Sequence, residues 1–499
     1  MEIKDLFYTW VPLYIRIPVL IIFLFAFLVA NGIFLGNVTD TYSSLGVYAE
    51  PYTMASNGLY IGMGLGLVFH LRLKMRFTNK TLLVGGILSL LVLNTICALT
   101  SSPQVVIIAC FLLGFTKISA LIEVYIIWLL IWSKTGDRAR LYPFVYFVAL
   151  AGLYFVTWLT TYYAAAFNWR YAYIVILILL AVCLLLALVF VEDHSLRRKV
   201  PLYQLDWQGL LMLGVTLMLL NYVVVYGKVE DWFTSRRIIF GALASGLALL
   251  LFIKRELTVK RPVLNLTIFS VPNFKVGLLY FLLLGLFIPS TFQNALTGNV
   301  LRYEAIRNAE VNLYLIPGLL AGAAMCYAWF YYKWDAQLMI MLGFSAFVIY
   351  YIMLYNSFAN DYALHDFWLP AMIKGFGVVV IYVAAGLYTA SNMGMPMVLK
   401  ASGTIIIFRS FLGSGIWTAI YNELLYAGRI RHYNYLAGLT DGQTLNEGNP
   451  GELYRNLQLQ SILAASKEVT GYIIWAGIVI VIVMVAVQVY RRLFSGWSS

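Results

Sequence analysis

QVVIIACFLLGFTKISALIEVYIIWLLIWS, residues Gln104 to Ser133, is apolar for about thirty residues yet contains Lys117 and Glu123. At roughly 1.5 Å per residue a helix of this length exceeds the ~30 Å hydrocarbon core of a bilayer, so the stretch reads as a membrane span. An ionised side chain near the middle of a span costs roughly 2.5 to 3.5 kcal/mol on insertion scales. Lys117 falls there, and Glu123 lies deeper in. Two readings account for a chain that keeps both. In one they face a polar cavity between helices; in the other they are buried and paired with neighbouring spans as a structural clasp, or Lys117 snorkels to the interface.

The rest of the sequence has the same character. Of its 499 residues 62% are hydrophobic and 11% charged, and the mean hydropathy is +0.83. These values exclude a soluble domain and define an all-α polytopic membrane protein. Helices are chosen over a barrel because the apolar runs are continuous for about twenty residues, whereas barrel strands alternate over about ten. In a soluble chain the formal net charge of +12 would point to nucleic acid; here it follows from basic loops gathered on one side, and no nucleic-acid partner is expected. Cys97, Cys110, Cys183 and Cys326 all lie in apolar runs, without disulfide context or metal-ligand spacing, and no metal or cofactor is implied.

Fourteen candidate spans begin near Ile17, Tyr52, Thr81, Gln104, Pro143, Trp169, Trp207, Arg237, Phe274, Val311, Gln337, Phe367, Ser402 and Gly471. Lys4 and Arg16 precede a first run too long for a signal-peptide core, so it reads as an uncleaved span. An even count puts both termini on one side. The loops on that side carry Arg72, Lys74, Arg76 and Lys80; Lys134, Arg138 and Arg140; Arg197, Arg198 and Lys199; and Lys254, Arg255, Lys260 and Arg261. Arg491 and Arg492 follow in the tail. Both termini are therefore expected in the cytoplasm. One long extramembrane segment, residues 428–470, separates the last two spans. Asn449, Pro450 and Glu452 form a helix-start signal within it, and Leu453, Leu457, Ile462 and Leu463 form an apolar stripe. That helix would lie in the interface, receive a partner protein, or pack on the last two spans as a cap.

Asp206, Trp207 and Gly209, followed by Gly227, Asp231 and Trp232, form a pattern at the seventh span. Asn168-Trp169-Arg170-Tyr171 precedes the sixth span, Arg261-Pro262-Val263-Leu264-Asn265-Leu266 and Phe269 precede the ninth, and Leu315-Ile316-Pro317-Gly318 lies in the tenth. Ala401-Ser402-Gly403, Arg409 and Gly413-Ser414-Gly415 mark the thirteenth. In order and spacing the chain resembles the fourteen-span drug:proton antiporters of the major facilitator superfamily, the bacterial multidrug exporter type. The resemblance implies the major facilitator fold: a six-span bundle over residues 1–200, two inserted spans over 201–260, and a second six-span bundle over 261–499 with the external segment at 428–470. It implies proton-coupled efflux of amphipathic small molecules by alternating access across a bacterial inner membrane, with a periplasmic adaptor as partner at residues 428–470.

The sequence departs from that family at charged positions. The span-1 region Ala30 to Asn37 has asparagines, Asn31 and Asn37, where an acid is usual, with Asp40 one turn further out. The loop after span 2 is basic and lacks its acid. Cys110 replaces the span-4 arginine, and Val156 to Thr161 replace the glycine-rich span-5 motif. Glu123, the acid furthest inside a span, is the leading proton carrier, with Thr116 and Ser119 on its helical face. Lys117, Arg409 and Lys374 are the candidate cations. Arg409 would hold an anion, pair with a carboxylate, or cap helix carbonyls, and Lys374 would snorkel outward. Trp158, Tyr162 and Gln293 are candidate lining for a pocket that takes large amphipathic compounds. The alternative is a proton-linked transporter, importing or exporting an endogenous anionic metabolite, because the intramembrane cations outnumber Glu123. A membrane-embedded enzyme is the remote alternative; His70, His194, His365 and His432 lie in or beside loops.

Overall fold

The computed structural model describes residues 6–132, 137–194, 206–264, 266–358, 362–391, 393–440 and 450–494. Lys134, Arg197, Arg198, Lys199, Asn265, Asn449 and the junction at 200/201 lie outside the described residues. The chain is helical at each of the fourteen expected places. In chain order the helices are α1 (Leu13–Val29), α2 (Val38–Leu45), α3 (Glu50–Lys74), α4 (Asn79–Leu99), α5 (Pro103–Trp132), α6 (Arg138–Ala166) and α7 (Tyr171–Phe190). They are followed by α8 (Trp207–Tyr226), α9 (Arg236–Thr258), α10 (Pro272–Gly285), α11 (Thr291–Asn294), α12 (Ala305–Leu313), α13 (Leu315–Tyr331), α14 (Ala336–Asn356) and α15 (Trp368–Thr389). The last are α16 (Met395–Ile406), α17 (Ile416–Gly438) and α18 (Pro450–Phe494). Among the described residues, eleven helices are long and apolar enough to cross a membrane, and Leu13–Val29 and Pro272–Gly285 are shorter apolar ones.

Two buried cores organise the packing. One joins residues of α1, α3, α4, α5, α6 and α7, from Leu6 to Val191. The other runs from Ile268 to Ile473 and includes Leu150 of α6. A third, smaller core ties α8 and α9 to both: Leu213, Leu217 and Phe252 pack with Ile61 and Leu65 of α3 and with Ile407 and Phe411 beyond α16.

The α8–α9 pair explains the motif at the seventh span. Asp206 caps α8 through the Gly209 amide at 3.0 Å and takes Arg255 Nη2 at 2.6 Å. Glu256 accepts the Val263 and Leu264 amides at 3.1 Å each, fixing the turn into α10. Gly227 leaves room for the Trp232 ring, and Asp231 and Trp232 both adopt left-handed backbone, with φ of 52° and 50°. Trp232 then donates Nε1–H to Glu423 of α17 at 3.0 Å. Within the membrane, Asn57 of α3 donates to Asn221 of α8 at 2.9 Å, and Asn221 donates to the Met54 carbonyl at 2.8 Å. These groups dock the inserted helices against the seam between α3 and the helix following α16.

Helix breaks set up the site. α1 stops at Val29, and Gly32 takes a φ of 72°. Its amide donates to Asn94 Oδ1 at 3.1 Å, and its carbonyl accepts from Tyr173 Oη–H at 2.9 Å. A side chain there would meet Cys110 and Cys97 sulfurs at 3.1 and 3.4 Å, so the small residue is required. α10 stops likewise at Gly285, before Thr291 resumes the helix. Two stretches wind more loosely as π-helix, Ala295–Val300 and Ile407–Gly415, a form that often marks functional positions.

The segment 428–470 is corrected by the structure. The helix that starts at Pro450 is not separate from the last span: α17 continues to Gly438, and α18 is one helix of 45 residues from Pro450 through that span. The proline start is where the sequence predicts it. Ile462 and Leu463 pack against the larger core, and Gly428 lies against Ala465, the self-packed alternative for this stretch.

Candidate functional site

The charges of α5 meet two different partners. Lys117 is 2% exposed, and its Nζ donates to the Leu28 carbonyl at 3.0 Å, the Ala30 carbonyl at 3.2 Å and Asn31 Oδ1 at 2.5 Å. The ammonium thus caps the end of α1, where unpaired carbonyls and the helix dipole favour a cation. Asn31 and Lys117 are brought together; Asn37 is not part of that contact. Asn37 is buried and donates to the Trp169 carbonyl at 2.8 Å, tying α2 to the turn before α7. Asp40 is exposed on α2.

Glu123 is 2% exposed and forms an ion pair with Lys74, at the end of α3, with His70 Nε2 3.6 Å from its Oε1. Lys74, which reads from sequence as a loop charge, is therefore committed inside the bundle. The acid that the basic stretch after span 2 lacks is delivered by α5. Glu123 Oε1 and His70 Nδ1 are buried without hydrogen-bond partners among the described residues. Thr116 turns its hydroxyl back to the Leu112 carbonyl at 3.1 Å, and Ser119 is buried.

In the second half of the chain, Lys374 does not snorkel. It is 2% exposed, donates to Ser290 Oγ at 3.0 Å, and lies 5.1 Å from the centre of the Tyr350 ring. Tyr350 Oη–H donates to Gln293 Oε1 at 3.3 Å, and Gln293 Nε2 reaches Asn312 Oδ1 at 3.4 Å. Gln293 and Lys374 therefore share one buried polar network around Tyr350.

Arg409 projects from the π-helical stretch that follows α16. Its Nη1 donates to Tyr146 Oη at 3.2 Å, and the guanidinium carbon lies 4.3 Å from the Tyr382 ring centre and 5.6 Å from that of Tyr146. Its Nε is buried without a partner. Tyr60, Tyr146, Tyr154 and Tyr382 are each only partly buried, although three packed elements, α3, α6 and α15, supply them. No carboxylate pairs with Arg409 among the described residues, which removes the ion-pair alternative and leaves a cation in a tyrosine cage.

The cage residues Tyr60, Tyr146 and Tyr382 were not legible as a set. Tyr146 stands four residues after Tyr142 on one face of α6, a faint signal, but nothing near Tyr382 marks it. Trp158 and Tyr162 are on another side of α6: Tyr162 follows Tyr146 by sixteen residues, about 160° around the helix. Tyr162 is 48% exposed and stacks on Trp158 in a row of rings separate from the cage.

A cavity of about 50 Å³ between the α1 break, α3 and α6 is lined by Asn31, Ser56, Tyr60 and Thr157 among others. It is large enough for water and is bordered by Asn31, the side-chain acceptor of Lys117. A larger cleft of about 460 Å³ between α13, α14 and α15 has Ser345 as its single polar side chain and contains none of the expected site residues.

Buried cations at broken helices, inside a bundle of membrane-spanning helices, define a polytopic membrane protein with a charged interior. A profile of the Major Facilitator Superfamily matches residues 19–418, and the chain belongs to that family. That family is one of transporters and not of enzymes. The chain is 24% identical over 289 residues to the multidrug export protein EmrB of Escherichia coli (strain K12), covering 56% of this chain and 53% of that protein. It is 24% identical over 309 residues to the fatty acid resistance protein FarB of Neisseria gonorrhoeae, covering 56% and 58%. The chain thus spans little more than half the length of these relatives. Among solved structures it is similar to the peptide transporter PepTSo, with a TM-score of 0.58 at 15% identity over 95% of this chain and 98% of that one. It is also similar to the human organic anion transporter MFSD10, with a TM-score of 0.53 at 13% identity over 94% and 100%.

Proposed function

We propose that this transporter exports amphipathic small molecules across a bacterial inner membrane by alternating access, with proton coupling. Residues 1–200 and 261–499 act as the two rocking units, and 201–260 as the inserted pair. The observation that carries the reading is the half-buried tyrosine cage of Arg409, built from α3 and α6 on one side and from α15 and the π-helical stretch on the other. A site assembled from both units changes shape when they rock, which is what alternating access requires. The likeness to multidrug and fatty acid resistance proteins supports the direction and substrate class.

Glu123 is the proposed proton carrier. It sits between a lysine that favours its charged form and a burial that disfavours it, so protonation would release Lys74 and let α3 and α5 move apart. Glu123→Gln is expected to abolish pH-gradient-driven transport in inverted vesicles at unchanged expression. Full gradient-driven activity in that variant removes Glu123 from the mechanism.

Both termini are placed in the cytoplasm in this reading, and the outer parts of α17 and α18 receive a periplasmic adaptor. Tyr435 and Tyr454, 65% and 54% exposed, are the better crosslinking positions there, because Leu463 is buried. A second reading, transport of an endogenous anionic metabolite, is favoured by one observation. Lys117, Lys374 and Arg409 are all inside the bundle, and none is paired with a carboxylate among the described residues.

A further inference from the structure

We infer that the Arg409 cage is the head-group subsite for an aromatic monocarboxylate. The inference deepens the transport reading and rests on it for its physiological meaning, although the binding it describes is measurable without transport.

A guanidinium has five N–H donors arranged as a planar fork that matches a carboxylate. At Arg409 the hydrogen bond to Tyr146 Oη engages Nη1, and Nε is buried without a partner. The Tyr382 and Tyr146 rings, 4.3 and 5.6 Å from the guanidinium carbon, stabilise the cation without using its Nε–H donor. Lys117 at the α1 break and Lys374 at Ser290 are already satisfied by neutral oxygens. The Arg409 guanidinium therefore keeps an unmet donor in the interior, and one negative charge complements it.

The walls specify the body of the ligand. Tyr142, Tyr146 and Tyr382 stand in successive edge-to-face contacts, with ring centres 5.8 and 5.5 Å apart and interplanar angles of 87° and 78°. Such an array presents ring faces to a flat apolar body. An organic cation of the same shape meets Arg409 with like charge and is excluded.

The test uses the purified full chain in lipid nanodiscs, without any gradient. Equilibrium binding of 2-naphthoate is compared with that of 2-naphthylmethylammonium, which has the same ring system and opposite charge. Saturable binding of naphthoate to the wild type is expected, weakened about tenfold or more by R409Q and less by R409K, which retains the charge but loses the fork. Tyr382→Leu, which keeps the guanidinium, is expected to weaken naphthoate several-fold and leave the ammonium compound unaffected. Equal binding of the two compounds to the wild type overturns the proposal, as does wild-type naphthoate affinity in R409Q or in Tyr382→Leu. Arg409-dependent binding without gradient-driven uptake of naphthoate into inverted vesicles sustains the subsite and counts against the transport reading alone.

Discussion

Lys117 and Lys374 hold equivalent positions in the two halves of the chain. Each projects from the fourth long helix of its half to the break in the first, Lys117 to Leu28, Ala30 and Asn31, and Lys374 to Ser290. Both stand beside a Gly-Phe pair, Gly114-Phe115 and Gly375-Phe376. The repeated arrangement makes each break a fixed point.

Lys117 satisfies three oxygens and Lys374 one, so their removal should differ. Lys117→Met is expected to cost about 2–4 kcal/mol and Lys374→Met about 1–2 kcal/mol, since buried acceptors lose donors. The check is the apparent melting temperature of each variant in detergent. Equal melting of Lys117→Met and the wild type shows that the α1 end is held by something else.

Lys74→Met leaves the Glu123 carboxylate buried with only His70 beside it. A loss of about 2–4 kcal/mol at neutral pH is expected, because one partner of a pair has gone. The deficit should shrink as pH falls, since protonating Glu123 removes the uncompensated charge. The double variant Lys74→Met/Glu123→Gln should melt above Lys74→Met alone at neutral pH; if it melts lower, the two groups are not coupled.

Asn57 and Asn221 are buried and bonded to each other where α8 meets α3. Asn221→Leu strands the Asn57 amide and the Met54 carbonyl, with an expected loss of about 2–3 kcal/mol. Asn57→Leu/Asn221→Leu should lose less than the sum of the single variants, as a double-mutant cycle on melting would reveal.

Gly285 lies against Gly413, whose Cα would be 2.6 Å from an added Cβ. Gly285→Ala should displace the π-helical stretch that carries Arg409, costing about 1–3 kcal/mol in stability. It should also weaken naphthoate binding although it touches no cage residue. Unchanged binding in a folded Gly285→Ala protein would separate the packing of α10 from the geometry of the cage.

The spans were legible because hydropathy sums over twenty residues and needs no partner. The seventh-span motif was legible too, since Asp206 and Gly209 act within one helix turn. Partners across the bundle were not. Nothing near Lys74 announces Glu123, forty-nine residues on, and the Lys117 acceptors exist only because α1 stops at Val29. The length of α18 was missed because a polar first half and an apolar second half read as two segments, although the backbone continues through both.

A helix of 45 residues is about 68 Å long, more than twice the thickness of the hydrocarbon it crosses. α18 is therefore a rod with a grip at one end and a bilayer for a fulcrum. A displacement of its Pro450 end would be carried, along one continuous helix, to the face it shares with α14.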